Sequence, residues 1–156
     1  MNLQLRKATV ADSRFLFELR NDASVREVSF STTPIPFEAH EKWLAKKLAD
    51  TSASLFIAET IEGEPVAQVR FDATETNSAE VSIAVEKTHR GKGYGSLALS
   101  RASRRFLAEH PALTRIRARI KADNLASLHS FKKAGYKQIE EKETHGGVAV
   151  TLLEFP

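Results

Sequence analysis

Arg90-Gly91-Lys92-Gly93-Tyr94-Gly95 is the densest chemical signal in the chain. Glycines at alternate positions let a backbone approach an anion, because no Cβ stands in the way. The run follows a strand-like stretch, residues 80–85, and opens into a helix-like stretch, residues 96–108. The first turn of a helix carries N–H groups with no intrahelical acceptor and the positive end of a dipole. Arg90 and Lys92 bring full positive charge to the same place. Such a turn is built to cradle a pyrophosphate.

The elements that must position this turn are legible from pattern. Residues 3–7 read as a first strand. Thr9 and Asp12 form an acidic capping box ahead of a short helix with Phe15, Leu16 and Leu19 on one face. Residues 21–33 are polar and irregular, a loop or broken helix, and Pro34-Ile35-Pro36 starts a second helix carrying Phe37, His40, Leu44 and Leu48. Residues 54–60 and 65–72 flank Glu62-Gly63-Glu64 as a hairpin. In residues 80–85, Val81, Ile83 and Val85 share one side, and Glu80, Ser82 and Ala84 share the other. Residues 115–121 alternate most cleanly, with Ile116, Ala118 and Ile120 opposite Arg115, Arg117, Arg119 and Lys121. That reads as a half-buried strand with a solvated cationic face, or as a polyanion-binding surface. Asp123-Asn124 caps a helix with Leu125, Leu128 and Phe131 inward, and Gly135 ends it. Residues 136–141 and 148–155 close the chain as strands around a turn at His145-Gly146-Gly147.

This order predicts an α+β fold, a mixed layer of helices over a largely antiparallel sheet, in a single domain over residues 1–156. It does not alternate as a doubly wound fold does, and no acidic residue ends a following parallel strand. The Gly-Lys-Ser/Thr ending of a nucleotide triphosphate loop is also absent. There is no Cys, which excludes disulfides, thiol nucleophiles and thiolate metal sites. No apolar run approaches the ~20 residues of a membrane span. The N-terminal residues have no signal-peptide core, so the expected location is the cytoplasm, with no membrane partner. The net charge of +3 mildly favours anionic partners.

Residues 80–85 followed by residues 90–95 resemble the acetyl-coenzyme A signature of the GNAT N-acetyltransferase superfamily, Gln/Arg-x-x-Gly-x-Gly/Ala between a strand and a helix. A second family motif follows in Asn124-Leu125-Ala126-Ser127, then Phe131, then Gly135-Tyr136. The resemblance runs over the whole chain. It implies a central sheet of about seven strands with one splayed pair, flanked by about four helices. It implies acetyl-CoA as co-substrate, no metal, and transfer of the acetyl group to a primary amine by direct attack in a ternary complex.

Placed on this sequence, the resemblance assigns the pantetheine arm to the backbone of Ile83, Ala84 and Val85. It assigns the pyrophosphate to Arg90, Gly91, Lys92, Gly93, Tyr94, Gly95 and Ser96. Asn124 would reach the pantetheine, and Phe131 would line the thiol end. Glu80 matches an acidic residue that some members use as general base. Many members carry a Tyr as general acid seven residues after the motif Asn. Here that position is Phe131, so either the thiolate leaves without a side-chain acid or another residue takes the role.

Acceptor choice in the family resides in the first helices, which points to Arg20, Asn21, His40 and Trp43. That region is similar to the sugar-nucleotide branch, with an amino-sugar nucleotide as acceptor, and to the ribosomal-protein or peptide N-terminal acetyltransferases. A coenzyme A-binding module without turnover is a further reading, resting on Phe131. A nucleic-acid binder using Arg101, Arg104, Arg105 and the arginine strand is another, opposed by the lack of interleaved aromatics. Many members dimerise, which makes the C-terminal strands the expected contact of a homodimer.

Overall fold

The structure is a computed structural model and describes residues 2–75, 77–139 and 143–156. Its strands are β1 (Gln4–Lys7), β2 (Ala53–Glu59), β3 (Pro65–Glu75), β4 (Ser78–Val85), β5 (Arg115–Lys121), β6 (Lys137–Gln138), β7 (Glu143–His145) and β8 (Val148–Phe155). They form one sheet in the order β1-β2-β3-β4-β5-β8-β6, with β7 also paired to β8. Every pairing is antiparallel except β4 with β5. The helices are α1 (Ser13–Asn21), α2 (Ala23–Val28), α3 (Phe37–Ala49), α4 (Tyr94–Glu109) and α5 (Leu125–Lys133).

Helices cover both faces of the sheet, and the strands show it. β2 is buried on both sides: Phe56 and Ala58 join the core with α4, while Leu55 and Ile57 join Leu16 of α1 and Leu44 of α3. In α4 the stripe Leu99, Ala102 and Phe106 is fully buried. Phe106 stacks on Phe71 of β3 with ring centroids 4.5 Å apart. Burial of each such side chain contributes roughly 1.5–3 kcal/mol.

The capping box at Thr9 is present, and Asp12 has a second duty. Its carboxylate accepts from the Thr9 N–H at 2.8 Å and takes both ends of the Arg6 guanidinium at 2.8 and 2.7 Å. Arg6 also holds Glu59 at 3.0 Å, so one arginine ties β1, β2 and the entry to α1.

Residues 21–33 follow the broken-helix reading: they contain the helix α2, capped by the Asp22 carboxylate on the Ser24 N–H at 2.9 Å, and none of its residues is buried, so no apolar period marked it. Three expectations need correction. α4 begins at Tyr94 rather than at residue 96, because Gly93 takes a left-handed φ of +87° and supplies the cap. The strand expected at residues 136–141 is only Lys137–Gln138, and Glu140 and Glu141 lie outside the described residues. His145 ends β7, which leaves Gly146 and Gly147 as the turn.

Burial alone would raise the Asp12 carboxyl, but the Arg6 guanidinium and the Thr9 N–H outweigh it and hold the group below its usual range. A carboxyl lowered by folding adds stability above its unfolded value, roughly pH 4, and that stability is lost as pH falls through the lowered value. Asp12→Asn is expected to cost about 2 kcal/mol at neutral pH, read as a lower urea midpoint, and to flatten the acid limb. An unchanged midpoint would contradict this role.

Candidate active site

β4 and β5 pair over Ser78–Arg115, Ala79–Ile116 and Glu80–Arg117, and no further. Beyond that point β4 stays with β3 as far as Val85, and β5 stays with β8 as far as Lys121. The sheet therefore opens between them, and a cleft of about 690 Å³ occupies the gap. From Val81 to Val85, β4 has one neighbouring strand among the described residues. Alternate backbone N–H and C=O groups on its open side are left for a ligand, apart from the Val85 carbonyl, which accepts from Arg90.

The glycine loop closes one end of this cleft. Gly91 and Gly93 have φ of +73° and +87°, which disfavours any side chain. Tyr94, Gly95 and Ser96 form the first turn of α4, where N–H groups have no carbonyl of their own helix to bond. At Gly95 an added Cβ would lie 3.3 Å from Val85 Cγ2, so this glycine lets α4 seat closely against β4. Arg90, Gly91, Gly93, Gly95 and Ser96 line the cleft, as do Ile83, Ala84 and Val85. Lys92 and Tyr94 do not; Lys92 is exposed, and Tyr94 packs edge-on against His89 at 5.6 Å. Ahead of the loop, the Thr88 hydroxyl and the His89 ring draw the Glu86 carboxyl down to about 2, which pins the turn that leads into it.

A strap built on α2 runs along the cleft and is fastened at both strand ends. Arg90 donates to the Ser24 hydroxyl at 2.7 Å and to the Val85 carbonyl at 3.0 Å. Lys121, at the end of β5, donates to the Glu27 carbonyl at 3.2 Å. Arg119 lies over the Phe30 ring at 5.3 Å.

Glu80 lines the cleft where the strands part, with Oε1 3.8 Å from Arg119 Nη1. Arg119 also donates to Glu143 at 2.8 Å. The other β5 cations are engaged as well, Arg117 with Glu154 at 3.0 Å and Arg115 with the same carboxylate at 3.8 Å. The arginine strand is thus largely neutralised by its neighbours. Arg101 and Arg105 donate to backbone carbonyls of Leu3 and Leu5.

Of the acceptor-side expectations, Arg20 alone lines the cleft. Asn21 is a structural staple: its amide bonds the Ile35 carbonyl and the Ile35 N–H, both at 2.9 Å, joining α1 to the start of α3. His40 is buried, with Nε2 3.0 Å from the Ser13 carbonyl, and burial holds its ring below the usual histidine range. Trp43 sits behind the cleft wall, half-buried against the α1–α3 core, with the guanidinium groups of Arg20 and Arg70 at 5.1 and 5.4 Å from its ring.

On the far wall, Asn124 caps α5 by accepting the Ser127 N–H at 3.2 Å, which leaves its NH₂ free of the cap. Phe131 is buried and lines the cleft. Tyr136 cannot supply the missing acid: its hydroxyl is held by Ser103 at 2.7 Å, and burial pushes it above the ordinary phenol range. Ser127, His129 and Ser130 also line this wall. Among the described residues no group of three or more His, Asp or Glu side chains is placed to hold a metal.

The family described as Acetyltransferase (GNAT) domain matches residues 2–137. The chain belongs to the GNAT acetyltransferases. It is therefore an acyltransferase, and its eight-stranded sheet with one parallel pair is the GNAT fold. YwnH of Bacillus subtilis (strain 168), named for phosphinothricin acetylation, is 30% identical over 118 residues, spanning 72% of this chain and 70% of that one. A spermidine N-acetyltransferase from Vibrio cholerae, solved with CoA and spermine, superposes with a TM-score of 0.84 at 22% identity, over 98% of this chain and 94% of that one. An aminoglycoside acetyltransferase solved with coenzyme A gives 0.80 at 21% identity, over 99% and 93%. At these identities the two solved structures speak for the fold.

Within this GNAT domain most of the residues singled out by the glycine run line the cleft, whereas Asn21, His40 and Trp43 do not. Arg70 and Arg119 also line the cleft; Arg119 stands on the alternating cationic strand read from sequence, and Arg70 lies in no motif. Only the strand registers, Arg70 opposite Ser82 and Arg119 opposite Leu152, bring them there. Gly93→Ala is expected to weaken coenzyme A binding about tenfold or more, because a left-handed φ is strained for any residue with a Cβ. Calorimetric titration with coenzyme A reads this directly, and equal affinity would remove Gly93 from the cradle.

Proposed function

We propose that this GNAT acetyltransferase moves an acetyl group from acetyl-CoA to the primary amine of a small molecule held between β4 and β5. The observation that carries the reading is the open edge of β4 beside the glycine loop, both lining one cleft. Backbone groups of Ile83, Ala84 and Val85 suit the amide-bearing pantetheine arm as an added strand. The N–H groups at the start of α4 suit the diphosphate. Bound acetyl-CoA supplies a thioester carbonyl for attack.

The chain's own residues supply position and proton handling. An alkylamine is mostly protonated at neutral pH and must lose a proton before it attacks. Glu80, in the cleft at the point of parting, accepts that proton directly or through a water. A backbone N–H near Ala84 or Val85 donates to the carbonyl oxygen; fixed donors of this kind and orientation provide most of the rate. Phe131 has no proton to give, so the departing sulfur relies on Ser127, His129 or Ser130 or on water. The fastened strap beside the cleft favours a small acceptor over a protein terminus. An amino-sugar nucleotide remains within this class.

The experiment is an acetylation screen by thiol release over amino-sugar nucleotides, polyamines, amino acids, aminoglycosides and N-terminal peptides. Turnover of a small amine supports the reading, and turnover of peptides alone opposes it. With the best amine, Glu80→Gln is expected to lower kcat roughly 10²–10⁴-fold near neutral pH and to alter the pH–rate profile. An unaltered profile would remove Glu80 from the mechanism.

A further inference from the structure

The acceptor wall of the cleft is strongly cationic. Arg20, Arg26, Arg70 and Arg119 line it, and Glu80 is the carboxylate that lines the cleft with them among the described residues. Most of these cations are already engaged. Arg26 donates to the carbonyls of Asn21 and Thr32, Arg119 holds Glu143, and Arg70 holds Asp72 at 3.0 Å. Asp72 is itself shared with Lys47.

Arg20 is the exception. Among the described residues it has neither an ion-pair nor a hydrogen-bond partner, and its one specific contact is the Trp43 ring. A cation–π contact uses the charge of a guanidinium and none of its N–H donors. Arg70 approaches the same ring from β3. Burial first, and then repulsion from Arg70, pull the Arg20 guanidinium below its usual value, so the free protein holds an electrostatic imbalance here. An anion would relieve it.

The sheet register sets the distance to the reacting end. Arg70 pairs with Ser82 and Asp72 pairs with Glu80, so Arg70 and Glu80 lie on the same face, one rung apart. Successive rungs on one face are roughly 7 Å apart. That is the span of a compact molecule with an amine at one end and an acid at the other.

We propose that the acceptor carries an anionic group, a carboxylate, phosphonate or phosphate, received by Arg20 and Arg70 over Trp43 while its amine faces Glu80. This rests on the acetyltransferase reading and names the substrate class for it. Polycationic amines are disfavoured by the same wall. Arg20 is the specificity-determining residue, since its donors are free.

Thiol-release kinetics on matched amines test it: β-alanine and 3-aminopropylphosphonate as compact anions, β-alaninamide as the neutral match, spermidine as the cation, and UDP-glucosamine as an anion of the sugar-nucleotide kind. A charge-assisted bidentate contact is expected to favour anionic over neutral amines by about 10–100-fold in kcat/KM. Arg20→Gln is expected to collapse that ratio through KM, and Arg20→Lys to restore part of it, which separates recognition from misfolding. Preference for UDP-glucosamine over the compact anions would support the anion site and assign it to the diphosphate. Equal or better turnover of spermidine or the neutral amide, or a ratio unmoved in Arg20→Gln, would overturn the proposal and leave the acetyltransferase reading intact. If no amine turns over, calorimetry of glutarate on the coenzyme A complex decides: Arg20-dependent binding supports the anion site without transfer, and no binding overturns it.

Discussion

β4 and β5 run parallel for three residue pairs and then part, and the rest of the site depends on that parting. A parallel pair cannot be joined by a hairpin; it needs a crossover, and here the crossover is α4. The helix must therefore start close to the carboxyl end of β4. Its N-terminus and the open strand edge arrive at the same mouth because of the topology, without further machinery. Had the strands stayed paired to Val85, the backbone groups now facing the cleft would have been spent on the sheet.

Side chains then keep the opening usable. Gly95 allows α4 to sit hard against Val85, and Gly93 turns the chain into the helix. Arg90 and Lys121 fasten the α2 strap to the ends of the two parted strands, so one segment senses both sides of the gap. Arg90 belongs to the glycine loop as well, so a single guanidinium links that loop, the end of β4 and the strap. Trp43, half-buried against the α1–α3 core, acts as a fixed support for Arg20 and Arg70.

Much of this was legible in the sequence, and the limits have physical reasons. Local signals read well. The alternation Arg-Ile-Arg-Ala-Arg-Ile-Lys matches β5 at both ends, and Gly91, Gly93 and Gly95 of the glycine run line the cleft. Features that depend on partners distant in the chain did not. α2 buries no residue, so it has no apolar period to detect. His40 falls on a helical stripe, and periodicity cannot tell a ring packed under a helix from one presented to a ligand. Asn21 has an amide suited to substrate binding, but its partner is the backbone of Ile35, 14 residues away. Arg70 becomes a cleft residue only through the β3–β4 register. Among the described residues seven strands and four helices became eight and five, because short β7 and uncovered α2 carry little pattern.

The most direct measurement is a crystal structure of the protein with coenzyme A bound. The expected result is a diphosphate against the backbone of residues 91–96 and a pantetheine arm hydrogen-bonded along residues 83–85, with the thiol reaching toward Glu80 and Phe131. A cofactor bound elsewhere, or a gap between β4 and β5 closed by continued pairing past Glu80, would contradict the account.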